Sequence, residues 1–178
     1  MLPATKYLQS FSTTQTFTMA PSIDSRISEI HPFYRIFLLY IEPIMALSGA
    51  YLAHFQPYKF IHGTAPSSLS RPFLSLSSTF TPDPVIQFLS TDIAALYVLF
   101  TINEAVVLRL TRDYSVWKTV VFAMLVCDMG HFWGIYEADP VEFLSVRGWS
   151  TEELINNGIL GFGLVLRIAF LLGLGNRK

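Results

Sequence analysis

The chain has 178 residues, of which 52% are hydrophobic and 14% charged, with a mean hydropathy of +0.45 and a formal net charge of -1 at pH 7. Soluble domains carry about 25% charged residues, so this deficit predicts an integral membrane protein. The small net charge predicts no nucleic-acid surface, and the single cysteine, Cys127, cannot form an intrachain disulfide.

The N-terminal segment, residues 1–30, is rich in serine and threonine. It contains no apolar stretch of the roughly 7–15 residues that a secretory signal requires. Lys6 and Arg26 would suit a transit peptide, whereas Asp24 and Glu29 oppose one. We therefore expect residues 1–30 to form a disordered cytosolic tail and residues 31–178 to form one membrane domain.

Four apolar stretches follow, each long enough to cross a bilayer as a helix of about 20 residues. In the first, Pro43 removes a backbone donor beside Glu42 and predicts a kink there. A loop rich in proline and serine separates it from the second span. A short basic turn makes the second and third spans antiparallel neighbours, and Ser150 or Thr151 caps the fourth. The predicted spans are about 33–55, 86–110, 116–136 and 154–174.

Lysine and arginine predict the orientation, because cytosolic loops carry more of them. The tail, the second loop and the C-terminus share one side and hold most of the basic residues, whereas the opposite side holds Lys59, Arg71 and Arg147. We therefore predict an all-α fold, a four-helix transmembrane bundle with cytosolic termini. We expect the endoplasmic reticulum as its membrane, and assembly into a homo-oligomer stays open.

Five ionisable residues lie inside the spans: Glu42, Glu104, Asp128, His131 and Arg167. A charge at a helix centre costs roughly 2.5–3.5 kcal/mol on insertion scales, so each residue needs a partner or a use. At about 1.5 Å per residue, all but His131 can share one layer, and His131 lies one turn from Asp128 on the same face. Three acids against one deep arginine leave a neutral carboxyl group that can donate a proton to a lipophilic substrate.

Structural roles are open for the same residues. Arg167 could neutralise Asp128 or Glu42 as a lock between helices. Glu104 could pair with Arg109 or Arg112 at the membrane interface, because long basic side chains reach toward it. A lone histidine such as His131 more often donates to a backbone carbonyl than it takes part in catalysis.

The residues that would surround a substrate are predicted by position in the spans. Aromatic ring faces can shield a carbocation, although aromatic core packing is equally typical. Stripes of small residues, one near Gly49 and one near Gly163, are typical of packing seams as well as of ligand space. The candidate substrate-binding residues are Phe100, Asn103, Phe132, Trp133 and Asn157.

No metal or cofactor is predicted. The sequence contains no HExxH motif, no Cys/His ligand cluster, no GxSxG motif and no phosphate-binding glycine loop. It also lacks the aspartate-rich signatures of enzymes that ionise diphosphates with magnesium. A lipophilic small molecule and the lipid bilayer are the predicted partners.

A family resemblance rests on the segments HPFYRIFLLYIEPIMALSGAYLAHFQP, INEAVVLRLTRDYSVWK and VCDMGHFWGIYEADP. Residues 31–175 resemble a family of small fungal membrane proteins with four spans, marked by IEP in the first span and DxGH in the third. Here these marks are Glu42-Pro43 and Asp128-Met129-Gly130-His131. The style of chemistry is similar to that of fungal membrane-bound terpene cyclases and of emopamil-binding-type isomerases, which protonate an epoxide or alkene with intramembrane carboxylates.

The leading hypothesis is a metal-independent, membrane-embedded isomerase or cyclase acting on an isoprenoid-like molecule in fungal secondary metabolism. Asp128 or Glu42 would protonate the substrate, and Arg167 would support developing negative charge or orient the acid. His131 would relay or accept a proton, and Glu104 would close the cytosolic mouth of the site or act as the opposite base. Two alternatives stay open. The acids could carry protons or cations in a transport component, or the same residues could lock the helices of a non-catalytic membrane scaffold.

Overall fold

The structure is a computed structural model of the chain. It describes residues 24–76 and 83–175, and for residues 72–76 it describes the backbone alone. Within these ranges the chain is helical and contains no strand. A short 3-10 turn, Val146–Gly148, precedes the last helix. The helices are α1 Arg26–Glu29, α2 Pro32–Phe55, α3 Pro57–Thr64, α4 Ser67–Leu76, α5 Pro84–Leu110, α6 Tyr114–Ala138, α7 Pro140–Leu144 and α8 Thr151–Leu171.

Helices α2, α5, α6 and α8 are each long and apolar enough to cross a membrane, which confirms the predicted all-α, four-helix transmembrane bundle. The predicted bounds of the spans differ from the observed ones by at most three residues. Many large apolar side chains lie exposed on the outside of the bundle, as contact with lipid chains requires. These features fit a multi-pass membrane protein.

The folded part of the chain begins earlier than the predicted boundary at residue 30. The guanidinium of Arg26 donates three hydrogen bonds to the carboxylate of Asp24, from Nε to both oxygens and from Nη2 to Oδ2 at 2.7 Å. These bonds lower the pKa of Asp24 to about 2. Ile30 is buried in the core, so the described fold includes residues 24–30, which the prediction assigned to the tail, while residues 1–23 lie outside the described part.

The core has two parts, one in each half of the bundle. In the half that holds α1, aromatic and aliphatic side chains from α2, α5, α6 and α8 surround Trp117 and Phe170. The other half is built mainly from alanine on α2 and α5, with Phe60 of α3 packed against it. Small residues allow α2 and α5 to approach closely, and this pair makes the most extensive contact between spans.

Gly49 of α2 lies in the seam with α5, against the ring of Tyr97. A Cβ atom added there would lie 3.3–3.5 Å from the ring of Tyr97, whereas one added at Gly134 of α6 would meet nothing within 4 Å. Replacing a helical glycine by alanine favours the helix by about 1 kcal/mol. We expect Gly134→Ala to raise the free energy of unfolding by about 1 kcal/mol. We expect no such increase for Gly49→Ala, because the Tyr97 ring must shift to make room for the added methyl group. Equal gains in unfolding measurements would contradict this packing.

Three carboxylates hold the N-terminus of α4: those of Asp139 and Glu142, which lie between α6 and α8, and that of Glu153 in the first turn of α8. The backbone N–H of Ser67 donates to Glu153 (2.7 Å) and to Glu142 (3.2 Å), and that of Ser68 donates to Glu142 (3.0 Å). The hydroxyl of Ser68 donates to Asp139 at 2.7 Å. Carboxylates are favourable at a helix N-terminus because its first N–H groups lack partners. The loop after α2 is thereby fastened to α7 and α8.

This clasp, formed by Asp139, Glu142 and Glu153 around Ser67 and Ser68, predicts a dependence on pH. Hydrogen bonds from the backbone of Glu142 and from Ser68 lower the pKa of Asp139. Burial opposes the lowering at Glu142, but the bonds from Ser67 and Ser68 outweigh it, so the pKa of Glu142 is lowered as well. Because both pKa values are lowered, the stabilisation is complete above about pH 5, where both carboxyl groups are ionised even in the unfolded chain, and is lost as the pH falls through the lowered values.

We therefore expect the amides of Ser67 and Ser68 to be equally protected from hydrogen exchange at pH 7 and pH 5, after correction for the intrinsic pH dependence of exchange, and to lose protection near pH 3. Glu142→Gln should weaken this protection at pH 7 and pH 5, because a neutral amide accepts these bonds less strongly than a carboxylate does. Near pH 3 the variant should differ little from the wild type. Loss of protection already between pH 7 and pH 5 would contradict the expectation.

Candidate functional site

Two π-helical turns position the acidic residues. Phe37–Ile41 forms one such turn in α2, and the N–H of Glu42 closes it by donating to the carbonyl of Phe37, five residues earlier. Asn103–Val107 forms the other in α5 and includes Glu104. The two turns pack against each other. π-Helical turns are rare and occur frequently at functional sites, so this pairing places two carboxyl groups at an unusual point of the bundle.

Arg109 does not form the ion pair with Glu104 that the sequence left open. Pro43 has no N–H, so the carbonyl of Leu39, four residues earlier, loses its α-helical donor. Nη2 of Arg109 donates to this carbonyl at 2.8 Å, and its guanidinium carbon lies 4.4 Å from the centre of the Tyr40 ring. The arginine therefore satisfies the backbone defect that proline creates.

Arg167 joins three helices through its guanidinium. Nη1 donates to Oδ2 of Asp128 on α6 at 2.5 Å, and Nη2 donates to Oε1 of Glu42 on α2. The side chains of Arg167, Asp128 and Glu42 are 4%, 10% and 13% exposed. Glu42 is thus the least enclosed of the three. A buried guanidinium shared by two carboxylates fixes the relative rotation of α2, α6 and α8.

Glu104 completes the cluster from α5 and has no exposed surface. Its carboxyl group lies within hydrogen-bonding reach of that of Glu42. Within residues 24–76 and 83–175, no donor contacts either oxygen of Glu104 or the Oε2 atom of Glu42. Four residues that the sequence only allowed to share a layer therefore meet, with three carboxyl groups around one guanidinium.

Gly163 makes room for this cluster. A Cβ atom at residue 163 would lie 2.7 Å from Nη1 of Arg167 and 3.9 Å from Oε1 of Glu42. No real Cβ contact is as short as the first of these distances. The glycine therefore permits the guanidinium to lie against the backbone of α8. The sequence identified Gly163 as a small residue in a stripe but contained no signal for this role.

Other predicted site residues lie around the cluster or away from it. His131 is partly buried, and within the described ranges its Nε2 atom has no hydrogen-bond partner. Asn157 is buried, but ten residues separate it from Arg167, about 15 Å along α8. Trp133 is 60% exposed and packs on Tyr136, with ring centres 5.7 Å apart. It therefore faces lipid and does not line the cluster, because a helix with apolar faces all round gives no sequence signal for its rotation.

The remaining predicted residues are partly buried. Phe132 packs near Gly161 of α8, where a Cβ atom would lie 3.8 Å from the end of its ring. Phe100 contacts Tyr97, with ring centres 6.5 Å apart, and Asn103 begins the π-helical turn of α5. Thr101 was not singled out by the sequence. Its hydroxyl donates to the carbonyl of Pro43 at 3.4 Å and to that of Tyr97 at 3.0 Å, so it joins α5 to α2 beside Glu42.

An open groove of about 420 Å³ runs between α2 and α8 on the side that faces lipid. Its lining is apolar, and the α2 residues in it, Phe37, Ile41 and Met45, form one stripe at four-residue spacing. Ile41 and Met45 stand on either side of Glu42 in the sequence. The groove lining does not include the clustered polar residues, but Ile41 in this lining directly precedes Glu42 in the chain.

Comparisons with known proteins give one match. No curated protein matches the chain, and neither does any solved structure. One family model matches residues 27–177, a range that contains all four spans and all four clustered residues. The chain therefore belongs to the family described as Domain of unknown function (DUF7704).

Proposed function

We propose that the protein is a membrane-embedded acid–base enzyme, an isomerase or cyclase acting on a lipophilic, isoprenoid-like molecule. The observation that carries this proposal is the excess of acid in the buried cluster. Glu42 and Asp128 contact one guanidinium, and among the described residues no donor contacts Glu104, which is enclosed beside Glu42. Carboxyl groups in an apolar, water-poor site are the usual means by which enzymes protonate weakly basic carbon centres.

Glu42 is the group that exchanges a proton with the substrate. It has the most exposed side chain of the salt-bridged cluster, and its neighbours Ile41 and Met45 line the apolar groove. In the forward step a carboxyl proton forms a new C–H bond with an alkene, or protonates the oxygen of an epoxide as its C–O bond breaks. The resulting cation then loses a proton from an adjacent carbon to the carboxylate, so that the product is an isomer of the substrate.

Arg167 positions the reacting carboxyl group and Asp128 positions Arg167. The guanidinium contacts Oε1 of Glu42 and Oδ2 of Asp128, and a carboxyl group held on one side is restricted in its orientation, which lowers the entropic cost of reaction. His131, one helical turn from Asp128, is the candidate proton relay. Phe132, partly buried near α8, is the aromatic candidate to stabilise a cation through its ring face.

A lipophilic substrate would enter from the bilayer through the groove between α2 and α8. We place the protein in the endoplasmic reticulum membrane with both termini in the cytosol, on the distribution of basic residues. Fungal secondary metabolism is the setting that the resemblance to membrane-bound cyclases suggests. Proton transport would use the same acids, but α2, α5, α6 and α8 offer no pair of discontinuous helices of the kind found in transporters.

Substitution of Glu42 tests the proposal. Microsomes that contain the protein would be incubated with a panel of isoprenoid alkenes and epoxides, and isomeric products would be measured by chromatography and mass spectrometry. We expect Glu42→Gln to lose at least about 100-fold in turnover, the lower range for removal of a general acid, and Asp128→Asn to lose less. Glu152→Gln is the control, since this exposed glutamate lies in the first turn of α8. Full turnover by a folded Glu42→Gln variant would overturn the proposed role.

A further inference from the structure

Among the described residues, three buried carboxyl oxygen atoms on α2 and α5 lack a hydrogen-bond donor. Both oxygens of Glu104 and Oε2 of Glu42 have no donor within the described part of the chain. The two carboxyl groups lie within hydrogen-bonding reach of each other. Two carboxylates cannot bond to each other because neither has a hydrogen to donate. Buried polar atoms without partners are rare in native structures, so this contact requires an explanation.

We infer that Glu42 and Glu104 form a proton-binding pair, in which a single proton on Glu104 is donated to Oε2 of Glu42. The bond then satisfies one oxygen of each residue, while Oε1 of Glu42 keeps its contact with Arg167. The pair joins the two π-helical turns, whose geometry brings the carboxyl groups together. The same principle operates in enzymes where two adjacent acids share one proton because both cannot ionise at close range.

The surrounding charges favour the proton on Glu104. Arg167 donates to Glu42 and Asp128 and thus stabilises the ionised form of both. Its contacts do not include Glu104, which is fully enclosed. Among the described residues, the charged or titratable groups at the cluster are Glu42, Glu104, Asp128 and Arg167. His131 lies one turn away on α6, and Tyr97 and Cys127 lie within electrostatic range of Asp128. With one proton present, two carboxylates and one guanidinium leave a single net negative charge.

The pair supplies what an acid–base site requires, a proton stored beside the group that faces the substrate. As Glu42 protonates a substrate carbon, the single proton of the pair passes from Glu104 through the existing hydrogen bond to Glu42 and on to the substrate, which leaves both carboxyl groups ionised. When the product cation loses a proton to Glu42, the reverse transfer returns that proton to Glu104. Glu104 is thus a positioning and storage residue that acts through Glu42. This consequence rests on the proposed function, whereas the shared proton can be measured without any substrate.

Infrared spectroscopy of the full chain in lipid nanodiscs at pH 7 tests the pair. A protonated carboxyl group gives a carbonyl band that shifts when H2O is replaced by D2O, and ionised groups give none. We expect the wild type to show this band, Glu104→Gln to lose it and Glu42→Gln to shift its frequency. Glu152→Gln should leave it unchanged, because this residue is exposed at the start of α8. In the Glu104→Gln variant the new side-chain amide can still donate to Glu42, so the variant should remain folded, as thermal unfolding will verify.

Two results would overturn the inference: absence of the band in the wild type, or a band that survives Glu104→Gln and disappears in Asp128→Asn. Turnover separates this inference from the proposed function. A band that depends on Glu104, together with full turnover by Glu42→Gln, retains the shared proton and rejects the enzyme. Turnover that requires Glu42, without any band, retains the enzyme and rejects the pair.

Discussion

Arg167→Met is expected to lower the free energy of unfolding by about 3–5 kcal/mol, the range for removing one partner of a buried salt bridge. The substitution keeps the length and apolar stem of the side chain but removes the donors to Glu42 and Asp128. Both carboxyl groups would then remain in the bundle without their cation. Unfolding in mixed detergent micelles, followed by circular dichroism, measures the change.

The companion variants assign the cause of this loss. Adding Glu42→Gln and Asp128→Asn to Arg167→Met removes the unpaired charges, and we expect it to recover most of the lost stability. Arg147→Met, at an exposed arginine in the 3-10 turn, should stay within about 0.5 kcal/mol of the wild type, as surface substitutions usually do. If Arg167→Met were as stable as the wild type, the three-helix junction would be wrong.

Gly163→Ala is expected to disrupt the cluster although it adds a single methyl group. Its Cβ atom would lie 2.7 Å from Nη1 of Arg167, so the guanidinium must move away from the position in which it contacts Asp128. We expect a loss of about 1–3 kcal/mol in stability, typical of overpacking, and a loss of turnover close to that of an Arg167 substitution. Stability and product formation would be measured on the same preparation.

Neighbouring glycines on α8 give matched controls for this variant. A Cβ atom at Gly158 would meet nothing within 4 Å, and one at Gly161 would lie 3.8 Å from the ring of Phe132, an ordinary contact. Alanine at either position should therefore leave the cluster intact and favour the helix by up to about 1 kcal/mol. A Gly163→Ala variant that behaved like Gly158→Ala would contradict the close approach of Arg167 to the backbone.

The fold followed from the sequence because the physical signal was strong. Four apolar stretches of the right length, separated by polar loops, leave few alternatives to a helical bundle in lipid. The sequence also predicted the N-terminal cap of α8. Ser150 accepts from the N–H of Glu153, and the Glu153 side chain accepts from the N–H of Ser150. In the structure Glu153 also accepts a hydrogen bond from the N–H of Ser67 at the N-terminus of α4. No local sequence pattern predicts this contact, because the two residues lie far apart in the chain.

The arrangement of the site could be predicted only in part, because the lipid-facing and core-facing sides of these helices are both apolar. Depth could be estimated from residue number, which placed Glu42, Asp128 and Arg167 in one layer, but rotation could not. Trp133 was consequently predicted to line the site, yet it is exposed to lipid. The π-helical turns were also unforeseen. Pro43 predicted a local disturbance of α2, but its repair by Arg109 depends on packing between α2 and α5.

The cluster could in principle serve only to lock the helices together. In that case the only role of Arg167 is to pair with its two carboxylates. The neutral triple variant Arg167→Met/Glu42→Gln/Asp128→Asn should then support full biological activity once its stability is recovered. An acid–base site predicts the opposite outcome, a stable bundle without turnover. The unpartnered carboxyl group of Glu104 favours the second outcome, since a purely structural lock gains nothing from an extra buried acid.

Comparison of lipophilic metabolites in the native cell tests most directly whether the buried acids perform chemistry. The chromosomal copy would be replaced by Glu42→Gln, with a deletion strain and a Glu152→Gln strain beside it. We expect one lipophilic compound to disappear in the Glu42→Gln and deletion strains and a compound of identical mass to accumulate, because adding and removing a proton leaves composition unchanged. A metabolite lost in the deletion strain yet made normally with Glu42→Gln would contradict catalysis by this carboxyl group.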